Sequence, residues 1–177
     1  MANLMNRIIR ASKLDVHLYE EVEADTGALG QAMGVVVLSS IAAGIGSITQ
    51  AGLGGIFMGT IGAVVGWVVW AYLTYFIGTK LLPEPQTRSH PSELLRTIGF
   101  SSSPGFIRIL GIIPGFMVIV FFVASIWMMI AMIIAVRQAL DYKSTFRAVG
   151  VCLIGWIIQL VIFALLLSIA GGIGNFA

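Results

Sequence analysis

Few residues of this chain are of a type that carries catalysis, and their spacing is wrong for it. His17 and His90 lie far apart in polar stretches, and the single cysteine, Cys152, lies inside an apolar run. No cysteine or carboxylate stands at ligand spacing from either histidine, so no metal centre is expected. Intramembrane proteolysis needs paired aspartates, a serine with a histidine at depth, or zinc ligands, and the apolar runs hold none. No glycine-rich loop ending in Lys-Ser/Thr precedes a helix, which argues against P-loop nucleotide chemistry. The sequence therefore reads as a non-enzyme without a cofactor, and Cys152 as a small buried packing residue.

Recognition chemistry is better represented. Arg108 is the one charge at membrane depth, with no acidic residue inside any apolar run to pair with it. An arginine at the centre of a membrane helix costs about 2.5–3.5 kcal/mol on insertion scales, so it either snorkels or holds a lipid phosphate or a partner. Ser101-Ser102-Ser103-Pro104 reads as a serine cap followed by proline at the first helical position. The amides of such a helix start form a second candidate anion site. Arg137, Asp141, Lys143 and Arg147 mark a polar break that forms a candidate lipid or partner contact, with Asp141 expected to pair with Arg137 or Lys143. Gly30 and Gly34, Gly55 and Gly59, and Gly62 and Gly66 each stand four apart, the spacing that lets membrane helices approach closely.

The elements that must position these residues are membrane helices. Hydrophobic residues make up 58% of the 177, charged residues only 10%, and the mean hydropathy is +0.99. Several apolar runs approach the ~20 residues needed to span a bilayer. They are continuous rather than alternating, which disfavours a β-barrel. The fold class is therefore all-α and polytopic: about five transmembrane helices, the third short and broken, behind an N-terminal amphipathic segment. Residues 1–26 form that cytoplasmic segment and 27–177 the membrane domain. The segment reads as two short helices, with a break near 13–15 and Asp15 as a cap, the first presenting a basic face to an anionic leaflet. It lacks the apolar core of a cleavable signal, so the first membrane helix serves as the insertion signal.

Membrane helices are expected over residues 30–48, 55–78, 116–136 and 145–170, with short connections at 49–54 and 141–144 and a proline-rich loop at 80–93. Residues 92–99 read as a short interfacial helix with Arg96 toward the headgroups, and roughly 98–113 as the short third span, broken at 101–105. A tail follows Gly171-Gly172. Ten lysines and arginines set the topology. Apart from Arg108 they fall before the first helix, in 80–96 and in 137–147, and positive charge collects on the cytoplasmic side. Those three segments then share one side. Residues 98–140 must cross twice or re-enter, and five crossings place the N-terminus inside and the C-terminus outside.

Four pieces of the chain resemble the bacterial branch of the Yip-domain family: LDVHLYEEVEAD, the middle stretch GF-SSSPGFIRILGIIP, the IW pair in the long helix, and AVRQALDYKSTFRAVGVCLIGW. The resemblance spans nearly the whole chain, and its most specific part is 135–156. It implies five membrane helices, a cytoplasmic N-terminus and a bacterial plasma membrane. Eukaryotic members bind prenylated Rab GTPases, but the acidic DLYGP-type motif associated with them is missing here, so that role is not implied. Two functions follow as expectations. One is a scaffold or membrane-organising factor that contacts lipids, a membrane-protein partner or a second copy through its glycine faces, without nucleic acid. The other is a small transporter, channel or lipid-handling protein. It would use the broken third helix with Arg108 and the polar residues Ser39, Ser40, Thr60, Thr74 and Gln159.

Overall fold

A computed structural model describes residues 3–174, apart from the side chains of 163, 165–167 and 169–174, and every regular element in that range is helical. The Asn3 side chain accepts from the Met5 amide at 3.0 Å and starts α1, Leu4–Ser12. Leu14 takes a positive φ of 61°, which breaks the helix. Asp15 then caps α2, Val16–Ala24, accepting from the His17 amide at 3.0 Å, as its position predicts. Asp25 accepts from the Gly27 amide at 2.9 Å and opens one 3-10 turn, Thr26–Ala28, that runs into α3, Leu29–Gly46.

The connection expected at 49–54 is not a loop. Only Ser47 separates α3 from α4, Ile48–Phe76. The chain instead kinks within α4 at Gly52, whose φ of +62° suits a residue without a Cβ. A π turn, Ile77–Leu81, extends α4. The Tyr142 hydroxyl fastens that turn, sharing its proton between the Gly78 carbonyl at 2.9 Å and the Leu82 carbonyl at 2.7 Å. The lone loop histidine has a structural task. His90 caps α5, Pro91–Phe100, while the Glu93 carboxylate accepts from the His90 amide at 2.7 Å.

The segment that follows departs from an α-helix. Ser103–Ile112 is a 3-10 helix, in which every third residue lies on the same face. Ser102, Gly105, Arg108 and Gly111 therefore share a stripe, and it lies along α3. A Cβ on Gly99 would come within 2.7 Å of Ala32, one on Gly105 would collide with Ser39, and one on Gly111 would come within 2.9 Å of the Gly46 carbonyl. An α-helix would rotate Gly111 about 240° away from Gly105 and lose this double contact. The tighter coil is what keeps both glycines against α3.

The chain then forms α6, Met117–Ala139, and α7, Thr145–Gly174, which continues past Gly171-Gly172 where an end was expected. Residues 175–177 of the expected tail lie outside the described residues. Four helices among the described residues are long and apolar enough to cross a membrane: Thr26–Gly46, Ile48–Leu81, Met117–Ala139 and Thr145–Ile162. Their outer faces carry exposed Phe57, Ile61, Val118 and Phe122, the pattern of helices solvated by lipid.

The best-packed core lies at the charged end. Leu18, Tyr19 and Val22 of α2 are fully buried, as are Leu94 of α5, Val136 of α6 and Leu140 just beyond it. Polar bonds knit the same end. Arg96, expected at the headgroups, is 5% exposed and points inward. It donates from Nε to the Val22 carbonyl at 2.9 Å and from Nη2 to the Glu23 carbonyl, completing the last turn of α2. Gln138 donates to Glu20 at 2.9 Å.

Arg7 is likewise turned in. It bonds Asp25 at 2.7 Å, Glu21 at 2.9 Å and Gln31 at 2.9 Å, while Arg10 bonds Asp15 at 2.7 Å. Arg7 and Arg10, two of the three cations expected to meet an anionic leaflet, are spent on the acidic half of their own segment. α1 leaves Met5, Asn6 and Ile9 exposed, and Lys13 just beyond it is exposed as well.

Candidate functional site: an arginine cavity among the membrane helices

The third segment delivers Arg108 into the membrane domain, and its backbone fixes where. The Arg108 carbonyl sits against Gly46 so closely that a Cβ there would collide with it. With the backbone pinned to the end of α3, the side chain reaches toward α6. Its guanidinium carbon lies 5.5 Å from the centre of the Phe121 ring, and Nη2 donates to Ser125 Oγ at 3.3 Å. Ser125 in turn donates to the Phe121 carbonyl at 2.7 Å, so its oxygen is held in place for the arginine. Arg108 Nε is buried with no hydrogen-bond partner among the described residues. No carboxylate pairs with this cation among the described residues.

Arg108 lines a cavity of about 290 Å³ between α3, α4, α5, α6, α7 and the third segment. At ~30 Å³ per water that is room for about ten waters. Its wall is mixed: Ser39, Ser40, Ser102 and Gln159 supply polar groups, and Trp67, Trp70 and Trp156 supply rings. Ser40 is already engaged, donating to the Val37 carbonyl at 2.7 Å and to Thr60 Oγ1 at 3.2 Å. Trp67 Nε1 donates to the Leu95 carbonyl at 2.9 Å. Trp70 differs. It is 7% exposed, packs on Trp156 at 6.3 Å between ring centres, and its Nε1 has no partner among the described residues. The cavity thus offers a cation with no carboxylate beside it among the described residues, which suits an anion and repels a cation.

The other candidate residues separate. Ser101 Oγ turns back to its own helix, donating to the Ile98 carbonyl at 2.7 Å. Ser102 lines the arginine cavity but makes no cap bond. Ser103 is buried under α1, in an apolar groove with Pro104 and Trp127. The three hydroxyls therefore do not converge on one anion, because a 3-10 helix sends consecutive side chains to different faces.

Nor does Asp141 pair with Arg137 or Lys143. Arg137 donates instead to the carbonyls of Tyr142 at 3.2 Å and Lys143 at 3.4 Å. Asp141 sits in a left-handed turn, φ 54°, which carries its carboxylate off the helix register that pairing requires. The acid that serves this break is Glu84, nearly sixty residues earlier. It accepts from the Lys143 amide at 3.0 Å and the Ser144 amide at 3.3 Å and lies 3.5 Å from Arg147. The Lys143 amide bond holds its carboxyl below the usual range. Only the folded chain brings this acid to the start of α7, where a negative charge is favoured.

The glycine spacings also read differently in three dimensions. A Cβ at Gly30, Gly34, Gly59, Gly62 or Gly66 would meet nothing within 4 Å, and one at Gly55 would meet only Ala51 of its own helix. These six glycines do not hold the close approaches within the chain. Those belong to Gly44 on Ile56, to Gly46, Gly105 and Gly111 along the third segment, and to Gly155 on Trp70. Comparison with family models, with curated proteins and with solved structures finds no match.

Proposed function

We propose that this chain is a non-enzymatic integral membrane protein of five spans that holds an anionic ligand at Arg108, inside the bilayer domain. The observation that carries the reading is the arginine cavity: a half-buried guanidinium lining open volume, with no carboxylate to satisfy it among the described residues. Proteins do not usually keep a charge at this depth without a use for it.

Two observations support five spans. First, the chain from the end of α5 through the third segment keeps pace with α3: Gly99 meets Ala32, Gly105 meets Ser39 and Gly111 meets Gly46. The fourteen steps of α3 from 32 to 46 rise about 21 Å, and the twelve steps from 99 to 111, 3-10 from 103 on, cover nearly as much. Second, the charged segments meet at one end. Arg96 bonds α2, Gln138 bonds Glu20, and Glu84 bonds the 143–144 backbone. By the distribution of lysine and arginine that end is cytoplasmic, with the C-terminus outside. The bacterial plasma membrane and Yip-family membership rest on the resemblance over 135–156.

Lipid handling is preferred to the scaffold reading because packing against a partner gives no account of the cation lining an open cavity. A scaffold remains the second reading on one observation: Gly59 lies bare among the exposed side chains of α4, where a partner helix or a second copy would fit. Native mass spectrometry of the gently released protein separates them. A bound anionic species that disappears in Arg108→Gln supports the ligand reading. A protein partner in fixed ratio, indifferent to Arg108→Gln, would replace it with the scaffold.

A further inference from the structure

We infer that the ligand is an anionic acyl lipid that enters sideways between α4 and α7, with its phosphate at Arg108 and its chain in the adjoining cleft. This rests on the reading of the arginine cavity as an anion site. The new observation is a second cavity beside the first. An apolar cleft of about 510 Å³ lies between α4 and α7. The two lie side by side, with Gly66, Trp70 and Gln159 in the wall of both. The rest of the cleft is aliphatic, with Val65, Val69, Leu73 and Ile162, and Gly62 leaves its floor open.

This pairing has the layout of an amphiphile. One end presents a guanidinium, serine hydroxyls and an amide; the other, apart from the shared Gln159 and Trp70, presents aliphatic side chains. Gln159 and Trp70 stand in the shared wall, where the glycerol and ester groups of a phospholipid would lie. Among the described residues neither cavity is lined by a carboxylate, so a single negative charge has one cation to meet and nothing to repel it. A free phosphate would satisfy Arg108 equally well but gives no account of the cleft. The glycines at 62 and 66 then have a physical reason: side chains there would fill the space the acyl chain takes.

The test uses the full chain in vesicles of phosphatidylcholine containing a minority of phosphatidylglycerol, extracted and read by native mass spectrometry, with calorimetry for inorganic phosphate in parallel. Wild type should retain phosphatidylglycerol over phosphatidylcholine by about tenfold or more, a difference of about 1.4 kcal/mol. Gly62→Leu fills the cleft without touching Arg108 and should abolish retention of lipid. Arg108→Gln should keep the acyl chain but lose the preference for the anionic headgroup. Circular dichroism and thermal unfolding check the fold of each variant, and Ile162→Trp closes the cleft from the α7 wall should Gly62→Leu not fold. Undiminished lipid retention in a folded cleft variant overturns the inference. Inorganic phosphate binding that depends on Arg108, with no lipid retained by wild type, also overturns it, yet leaves the anion site standing. If wild type binds neither, both readings fall.

Discussion

Arg7 and Arg108 are the same side chain treated in opposite ways. Arg7 sits at the charged end with two carboxylates and an amide oxygen, all within 2.9 Å, and its partners come from its own segment and the start of α3. Arg108 sits among membrane helices with one serine hydroxyl, an aromatic face and a buried Nε that bonds nothing described. A cation whose counter-charges the chain itself supplies is part of the architecture. A cation left without them, facing open volume, is built to receive something. The difference separates stability from recognition, and it can be attacked from both sides.

The largest effect should come from removing Arg7. Arg7→Ala takes the cation from Asp25, leaves Glu21 with Arg10 alone and empties the buried site of the arginine stem, and should cost about 3 kcal/mol, read as a lowered thermal midpoint in detergent. Arg108→Gln should show the converse, an unchanged or raised midpoint with lost anion retention, because it removes an unpaired charge rather than a pair. A collapse of stability in Arg108→Gln would place both arginines in one structural class and dissolve the contrast. Next in size is Gly46→Val, which drives a side chain into the Arg108 carbonyl; overpacking of this kind costs about 1–3 kcal/mol, and the same variant should loosen the anion site by moving its backbone.

A smaller effect concerns the acids of the charged end. Burial, reinforced by Asp141 and Glu93, pushes the Glu23 carboxyl up from 4.5 to about 7, against the pull of Arg96. The folded state then binds a proton more readily than the unfolded one between those values. Stability from this group is greatest below pH 4.5 and is lost as pH rises toward 7. After allowance for solvent screening the change is about 1 kcal/mol, and Glu23→Gln should flatten it in thermal melts at pH 5 and pH 8. The smallest effect is Gly59→Ala, in open space on a helix: a gain of less than ~1 kcal/mol from propensity alone. A marked loss there would mean that another chain covers this face, and would favour the scaffold.

What could be read in the sequence was what one segment decides by itself. Asp15 as a cap and the long apolar runs follow from local chemistry, and both are found in the fold. Arg108 stood out as the lone charge at depth, but its cavity is assembled by six elements and has no signature in any one of them. The glycines misled for a related reason. A spacing of four says that a close approach is available on an α-helix, not that a neighbour takes it up. The approaches to α3 are made by Gly99, at the end of α5, and by Gly105 and Gly111, six apart in a 3-10 coil that local sequence draws as an α-helix. Glu84 was invisible because its partners lie nearly sixty residues on.

The intimate fit of the third segment against α3 has a consequence for biogenesis. Among the described residues this segment is not one of the four helices long and apolar enough to be recognised as a span alone. In the proposed five-span arrangement it would be a poor client of the insertion machinery when it emerges from the ribosome. The surface it needs, Ala32 through Ser39 to Gly46, has by then been synthesised and inserted. Earlier translation of α3 would thus act as a template, and the segment would slide in as a guest of its own N-terminal neighbour.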